Sequence, residues 1–447
     1  MGALARHAAR ASRNPRRPRR LQPGLLEPIV RKLWTARVSD SIAEWHYLAA
    51  SLERCVIEAV AWLLWRFRAL TLVVVLAGCG GNQAHDLISP GVVEPGTIAG
   101  KHSIFAVTTR ERAEDPRQVF DGRRAENLSF ARVDITIPRD HQTGRIESPR
   151  RGPRDPAKHF FASEVAIMRS EADFAQKLRG EIAARNGRAL VFIHGYRTLF
   201  DGAVYRMAQI VHDSGYTGVP VLFSWASAGR TVDYIYDNNS ATIGRDGLEE
   251  TLRLLAANGA TRIDIVAHSM GNWATMEALR QIAISDDREV TRRLGDIMLA
   301  SPDIDVDVFK SQLKRIGKLD RPIAVMLSDD DRALQLSSLL AGNRPRVGDY
   351  AKAEDLASLG VVVVNVSNLQ AGDRLNHAKF ADNPLLVRLL GEHLQADSQL
   401  GTGDRQEISS RIGRLAQGLG QTIGTAAEIV ITTPLEVINV AVGGAGG

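Results

Sequence analysis

Ala267-His268-Ser269-Met270-Gly271 places a serine between two small residues, one two positions before it and one two positions after. This spacing suits a nucleophile elbow, where a serine sits at the tip of a strained strand-to-helix turn and larger neighbours would clash. The flanks agree, with apolar IDIVA before the serine and helix-compatible NWATMEALRQIA after it. A serine hydroxyl attacks poorly until a base takes its proton, and that base needs a carboxylate to orient it. On α/β scaffolds these groups follow one another as Ser, Asp or Glu, then His. His377, in the loop after VVVVNVS (361–367), is the candidate base, whereas His393 lies in a helical pattern and reads as a surface residue. Asp331, last of the three aspartates that follow PIAVMLS (322–328), is the favoured acid. Asp330 beside it remains a rival, as do Asp303 and Asp305 after the preceding strand. The three aspartates could also simply cap a helix starting at Arg332. A tetrahedral intermediate needs two preorganised donors for its oxyanion, each worth about 3 kcal/mol. The backbone N–H groups of Met270 and of Tyr196, in His194-Gly195-Tyr196, are the expected pair, with His194 bracing the loop.

Such groups converge only if the elements between them bring them to one edge of a sheet. SIFAVTT (103–109) and FARVDITIP (130–138) read as early strands, followed by a Pro- and Arg-rich loop over 139–158. Six apolar runs then alternate with helical patterns: ALVFIH, VPVLFSW, RIDIVAHS, DIMLASP, PIAVMLS and VVVVNVS, with a last helix near Pro384–Gln395. Strands buried on both faces and separated by helices imply a mostly parallel sheet wrapped on both sides. Eight strands in this order match the α/β-hydrolase fold. Residues 227–246, after VLFSW, are expected to be an insertion near the site, either a lid or a packed loop.

The motifs resemble those of bacterial α/β-hydrolases grouped as a domain family of unknown function within the esterase/lipase superfamily. LVFIHGYRTLFDGAVYRMAQI, VLFSWAS with YIYDNNSA, IDIVAHSMGNWATMEAL, LASPDIDVDVF, MLSDDDRAL and the segment around NHAKF carry the resemblance, over roughly 100–385. It implies a triad at Ser269, Asp331 and His377, and supports Asp331 through the S-x-x-D-x-A-L pattern that Ser328–Leu334 fits. Ala267 replaces the more usual glycine of the elbow. No substrate follows from the likeness.

Charge and cysteine usage narrow the remaining possibilities. The formal charge of +5 invites a nucleic-acid partner, but residues 1–78 hold 13 basic and 5 acidic residues, leaving 43 basic and 46 acidic elsewhere. The body is mildly acidic, so polyphosphate binding by charge is not expected. Two cysteines, Cys55 and Cys79, exclude a disulfide framework and a thiolate zinc site; no metal or organic cofactor is implied. Leu70–Cys79 (LTLVVVLAGC), preceded by Arg66 and Arg68, is too short to span a bilayer, yet has the pattern of a lipoprotein signal. The Cys79 thiol would accept diacylglycerol and become the new amino terminus. Since 78 residues precede it, the expected translation start is a non-AUG codon near Val56 or Val60, with a long cytoplasmic flank as the alternative. Gly80 after Cys79, by resemblance to Gram-negative lipoproteins, points to the outer membrane, facing the periplasm.

The organisation expected is therefore a basic leader and signal over 1–78, a linker over 79–100, an α/β-hydrolase domain over 101–398 and a Gly-rich amphipathic or apolar tail over 399–447. Ile412, Leu415, Leu419 and Ile423 fall at helical spacing, and IVITTPLEVINVAV (429–442) is apolar but interrupted by Pro434. Residues 405–447 are expected to give a weak second contact with the membrane or a protein, or else to pack on their own domain. The function expected is a serine hydrolase of carboxylic esters acting through an acyl-enzyme. A non-catalytic envelope binding or assembly factor on a hydrolase scaffold is the competing class.

Overall fold

The computed structural model describes residues 88–370, 372–395 and 427–442. The leader, Cys79 and the Ile412–Ile423 stretch lie outside them. Eleven strands form one sheet: β1 (Ile98–Arg112), β2 (Phe120–Pro138), β3 (Phe161–Ile167), β4 (Arg188–Ile193), β5 (Val219–Ser224), β6 (Arg262–His268), β7 (Leu294–Ala300), β8 (Ala324–Leu327), β9 (Val362–Asn365), β10 (Ala427–Thr432) and β11 (Val437–Val442). Their spatial order is β11-β10-β9-β8-β7-β6-β4-β5-β1-β2-β3. The stretch from β1 through β5, β4, β6, β7 and β8 to β9 is parallel, and both flanks are antiparallel.

The apolar runs explain the parallel centre. In β4, Leu190 and Phe192 point into one core layer, while Ala189, Val191 and Ile193 point into the other. Burial on both faces needs cover on both faces. The helices α1 (Glu171–Ala184), α2 (Phe200–Ser214), α3 (Tyr234–Ala257), α4 (Gly271–Ile284), α5 (Arg288–Thr291), α6 (Val306–Ile316), α7 (Arg332–Leu340), α8 (Ala353–Ala357), α9 (Lys379–Asp382) and α10 (Pro384–Gln395) supply that cover. The apolar side chains of α2 and α10 fill the first layer, and those of α1, α3, α4 and α6 fill the second.

Two differences from the expected eight-stranded sheet have physical causes. FASEVAI forms β3, an edge strand whose half-exposed alternation around Glu164 gives little apolar signal. The apolar run 429–442 is a hairpin that adds β10 and β11 beyond β9, burying Ile429, Ile431 and Ile438. Pro434 sits in its turn, where Thr433 N–H donates to the Glu436 carbonyl at 2.8 Å, a place that needs no amide donor from proline. The 227–246 insertion is helical from Tyr234 onward, as the first half of α3.

Candidate active site

All the parallel strands end at one edge, and there Ser269 occupies the turn between β6 and α4. Its φ is +53°, the left-handed conformation that a side chain adopts only under strain. The strain is held by hydrogen bonds. Ser269 N–H donates to the Ala300 carbonyl at 3.0 Å, and the Ser269 carbonyl accepts from Asn272 Nδ2 at 2.9 Å and from Asp303 N–H at 3.3 Å. Close approach explains the small neighbours: a Cβ on Gly271 would stand 2.4 Å from the His194 carbonyl, and one on Gly195 would stand 2.8 Å from Ser269 Cβ. Ala267 is fully buried in β6, so a methyl is accommodated where glycine is more usual.

After β8, the chain delivers Asp331, fully buried, to the same edge. Its Oδ1 accepts from Ala333 and Leu334 N–H, both at 3.1 Å, and so caps α7. Its Oδ2 receives His377 Nδ1 at 2.7 Å. The cap and the proposed acid are thus one carboxylate with two oxygens in two roles. Asp331 and the His268 turn hold His377 from two sides. His268 Nε2 donates to the His377 carbonyl at 3.2 Å, Ser301 Oγ donates to it at 3.3 Å, and the two imidazoles meet at a tilt with centroids 4.6 Å apart. Burial alone would lower the His377 pKa, but the charge and hydrogen bond of Asp331 raise it above the ordinary imidazole value. His268 moves the opposite way, kept neutral by burial and by His377.

The rival acids have other partners. Asp303 accepts from Ser337 Oγ at 2.6 Å and Tyr234 OH at 3.0 Å, and it pairs with Arg346 at 3.2 Å. Asp305 caps α6 through Asp307 and Val308 N–H. Asp330 accepts from Lys379 Nζ at 2.6 Å and from Asn376 Nδ2 at 2.9 Å. His393 is buried beside Asp296 rather than on the surface.

Residues 170–393 match a family described as alpha/beta hydrolase of unknown function (DUF900). The chain belongs to this family. No curated protein matches it. The matched stretch contains Tyr196, Ser269, Met270, Asp331 and His377, and the mostly parallel sheet with helices on both faces is the α/β-hydrolase fold.

Within this DUF900 domain, the backbone N–H groups of Tyr196 and Met270 have no protein acceptor among the described residues, which leaves them available to an incoming oxyanion. The loop that carries Tyr196 is fixed by a residue that the sequence did not single out. Arg110, fully buried at the end of β1, donates to Ser224 Oγ at 2.8 Å, to the carbonyls of Asp121, Ser227 and Thr198 at 3.1, 2.9 and 2.7 Å, and lies 3.3 Å from His194 Nε2. Burial lowers the Arg110 pKa to about 10, still cationic at neutral pH. Burial and the Arg110 charge together lower His194 to about 3. A neutral His194 donates from Nδ1 to the Gly195 carbonyl at 2.9 Å and stacks on Trp225, so it braces the loop. Nothing in the sequence marks Arg110, which stands among the polar residues Thr108-Thr109-Arg110-Glu111-Arg112 that end β1.

Lys379 is the second residue missed. Buried behind His377, its ammonium donates to Asp330, to Ser328 Oγ at 2.8 Å and to the Val366 and Ser367 carbonyls, both at 3.1 Å, which staples the aspartate loop to the histidine loop. A cavity of about 440 Å³ lined by Thr109, Arg124, Glu126, Asp246 and Glu250 includes none of these groups. No group of three or more His, Cys, Asp or Glu among the described residues is arranged to hold a metal ion.

Proposed function

We propose that the protein is a serine hydrolase of carboxylic esters, held in the bacterial envelope through a lipid on Cys79. Ser269 Oγ attacks the ester carbonyl as His377 Nε2 takes its proton, and the Tyr196 and Met270 N–H groups receive the oxyanion. Collapse releases the alcohol, protonated by His377, and leaves an acyl group on Ser269. Water then attacks with His377 again as base, returning the acid and free serine. Asp331 fixes the imidazole tautomer and stabilises its charge. The observation that carries the reading is the 2.7 Å bond from His377 Nδ1 to buried Asp331, at the edge where Ser269 stands at positive φ. Fluorophosphonate labelling of the full-length protein tests it. Labelling is expected in wild type and absent in Ser269→Ala, whereas an unlabelled, folded wild type would point to a non-catalytic binding or assembly role. For Cys79, incorporated palmitate is expected to vanish in Cys79→Ser.

A further inference from the structure

The edge that holds Ser269 also carries several exposed apolar side chains. Val232 and Ile235 are 82% and 76% exposed, Leu339 and Leu340 63% and 58%, and Leu375 40%. Hydrogen bonds fix all three of these segments beside the site. Tyr234, between Val232 and Ile235, reaches Asp303 and Ser337 with its hydroxyl. Leu339 and Leu340 end α7, in an excursion that leaves β8 at Ser328 and returns to it, since Ser328 N–H donates to the Gly348 carbonyl at 2.7 Å. Leu375 lies two residues before His377, and its carbonyl accepts from Arg332 N–H at 3.0 Å. Interspersed Arg332, Arg344 and Arg374 are exposed and make no ion pair among the described residues. Isolated exposed apolar side chains are ordinary, but several of them on segments fixed beside one site mark an interaction surface.

The chain itself indicates the occupant. β1 runs parallel to β5, so the β1–β2 connection projects from this same edge, and Ile88 N–H bonds the Arg117 carbonyl within that connection at 2.8 Å. Only eight residues, 80–87, lie between Cys79 and Ile88, a reach of about 30 Å when fully extended.

We propose that this edge rests on the surface of the bilayer that holds the Cys79 lipid, so that the catalytic serine faces the membrane and draws ester lipids from that same leaflet. The proposal rests on the lipid-anchor and ester-hydrolase readings above. Valine, isoleucine and leucine side chains enter the acyl boundary, while the arginines keep their guanidinium groups among phosphate headgroups.

The test uses the mature lipidated protein, which begins at Cys79 and so carries no other native cysteine, reconstituted into phosphatidylethanolamine–phosphatidylglycerol vesicles (3:1). An environment-sensitive nitrobenzoxadiazole dye is placed at Val232→Cys, Leu375→Cys or Ile284→Cys, the last at the opposite end of α4. Blue-shifted emission and at least about threefold greater quenching by doxyl lipids are expected at 232 and 375 relative to 284. Equal quenching at all three positions, or none at 232 and 375, would overturn the proposal, and so would a protein that fails to float with the vesicles. In that last case the mass of the Cys79 peptide shows whether the anchor reading fails too. Fluorophosphonate labelling of Ser269 without vesicles reports separately on the hydrolase.

Discussion

Two histidines in this molecule are hydrogen-bonded to buried carboxylates at nearly the same distance, yet they are built for opposite ends. His377 gives Nδ1 to Asp331 at 2.7 Å, and its Nε2 makes no hydrogen bond among the described residues. His141 gives Nε2 to Asp213 at 2.7 Å and Nδ1 to Glu147 at 2.8 Å, so both nitrogens are occupied. Burial would lower His141, but its two carboxylates carry it to about 9 and hold it as an imidazolium. It clamps the 139–158 loop onto α2, where its ring meets His212 with centroids 5.3 Å apart; His212 in turn touches the neutral His102, lowered to about 4 mainly by burial. A carboxylate partner therefore does not by itself make a histidine a base. On the function proposed above, the unoccupied nitrogen does, because it sits at the edge where Ser269 stands.

The largest expected effect tests the histidine that keeps a nitrogen free. Ser269→Ala and His377→Ala should each lower ester hydrolysis by about 10⁶-fold, and the double variant should be little worse than either, because a triad acts as a unit. A His377→Ala enzyme within about tenfold of wild type would end the distinction. Next, Asp331→Asn should cost about 10⁴-fold in kcat. Asparagine still caps a helix, so the thermal midpoint should barely move. Asp303→Asn should stay within about tenfold, and the reverse ranking would move the acid to the β7 loop. The third test is the pH profile. The His377 pKa is raised, and activity needs the neutral ring, so the acidic limb of kcat/KM should lie above the ordinary imidazole value of about 6.5 and shift down in Asp331→Asn. The smallest effect on rate should come from the other histidine: His141→Gln should change kcat by no more than about twofold. Its raised folded pKa means that the clamp stabilises fully below about pH 6.5 and fades as pH rises through about 9. Urea titrations should therefore separate wild type from His141→Gln at pH 6 and bring them together near pH 10.

The elbow was legible because its geometry restricts residue type on both sides of Ser269, and the late loops because each follows an all-apolar strand. What stayed hidden lacks such restriction. Asn238, Asn239, Ser240, Thr242 and Gly244 have poor intrinsic helix propensity, but the sheet-facing residues Ser240, Ala241, Gly244, Gly247 and Leu248 pack closely, and tertiary contact makes them the start of a 24-residue helix. The 429–442 run is apolar enough for several fates, and only pairing with β9 selects a hairpin. Arg110 and Lys379 could not be read at all, since a buried cation is defined by carbonyls that come from distant parts of the chain.

The divided carboxylate of Asp331 bears on how kin of this protein should be judged. One oxygen would keep its post at the head of α7 even in a descendant that had given up turnover, so an aspartate at this position is weak testimony for activity. The His377 ring has no second employment of that kind, its sole polar tie among the described residues being the one to Asp331. When other sequences of this lineage are sorted into working and silent members, the histidine is the residue to inspect first.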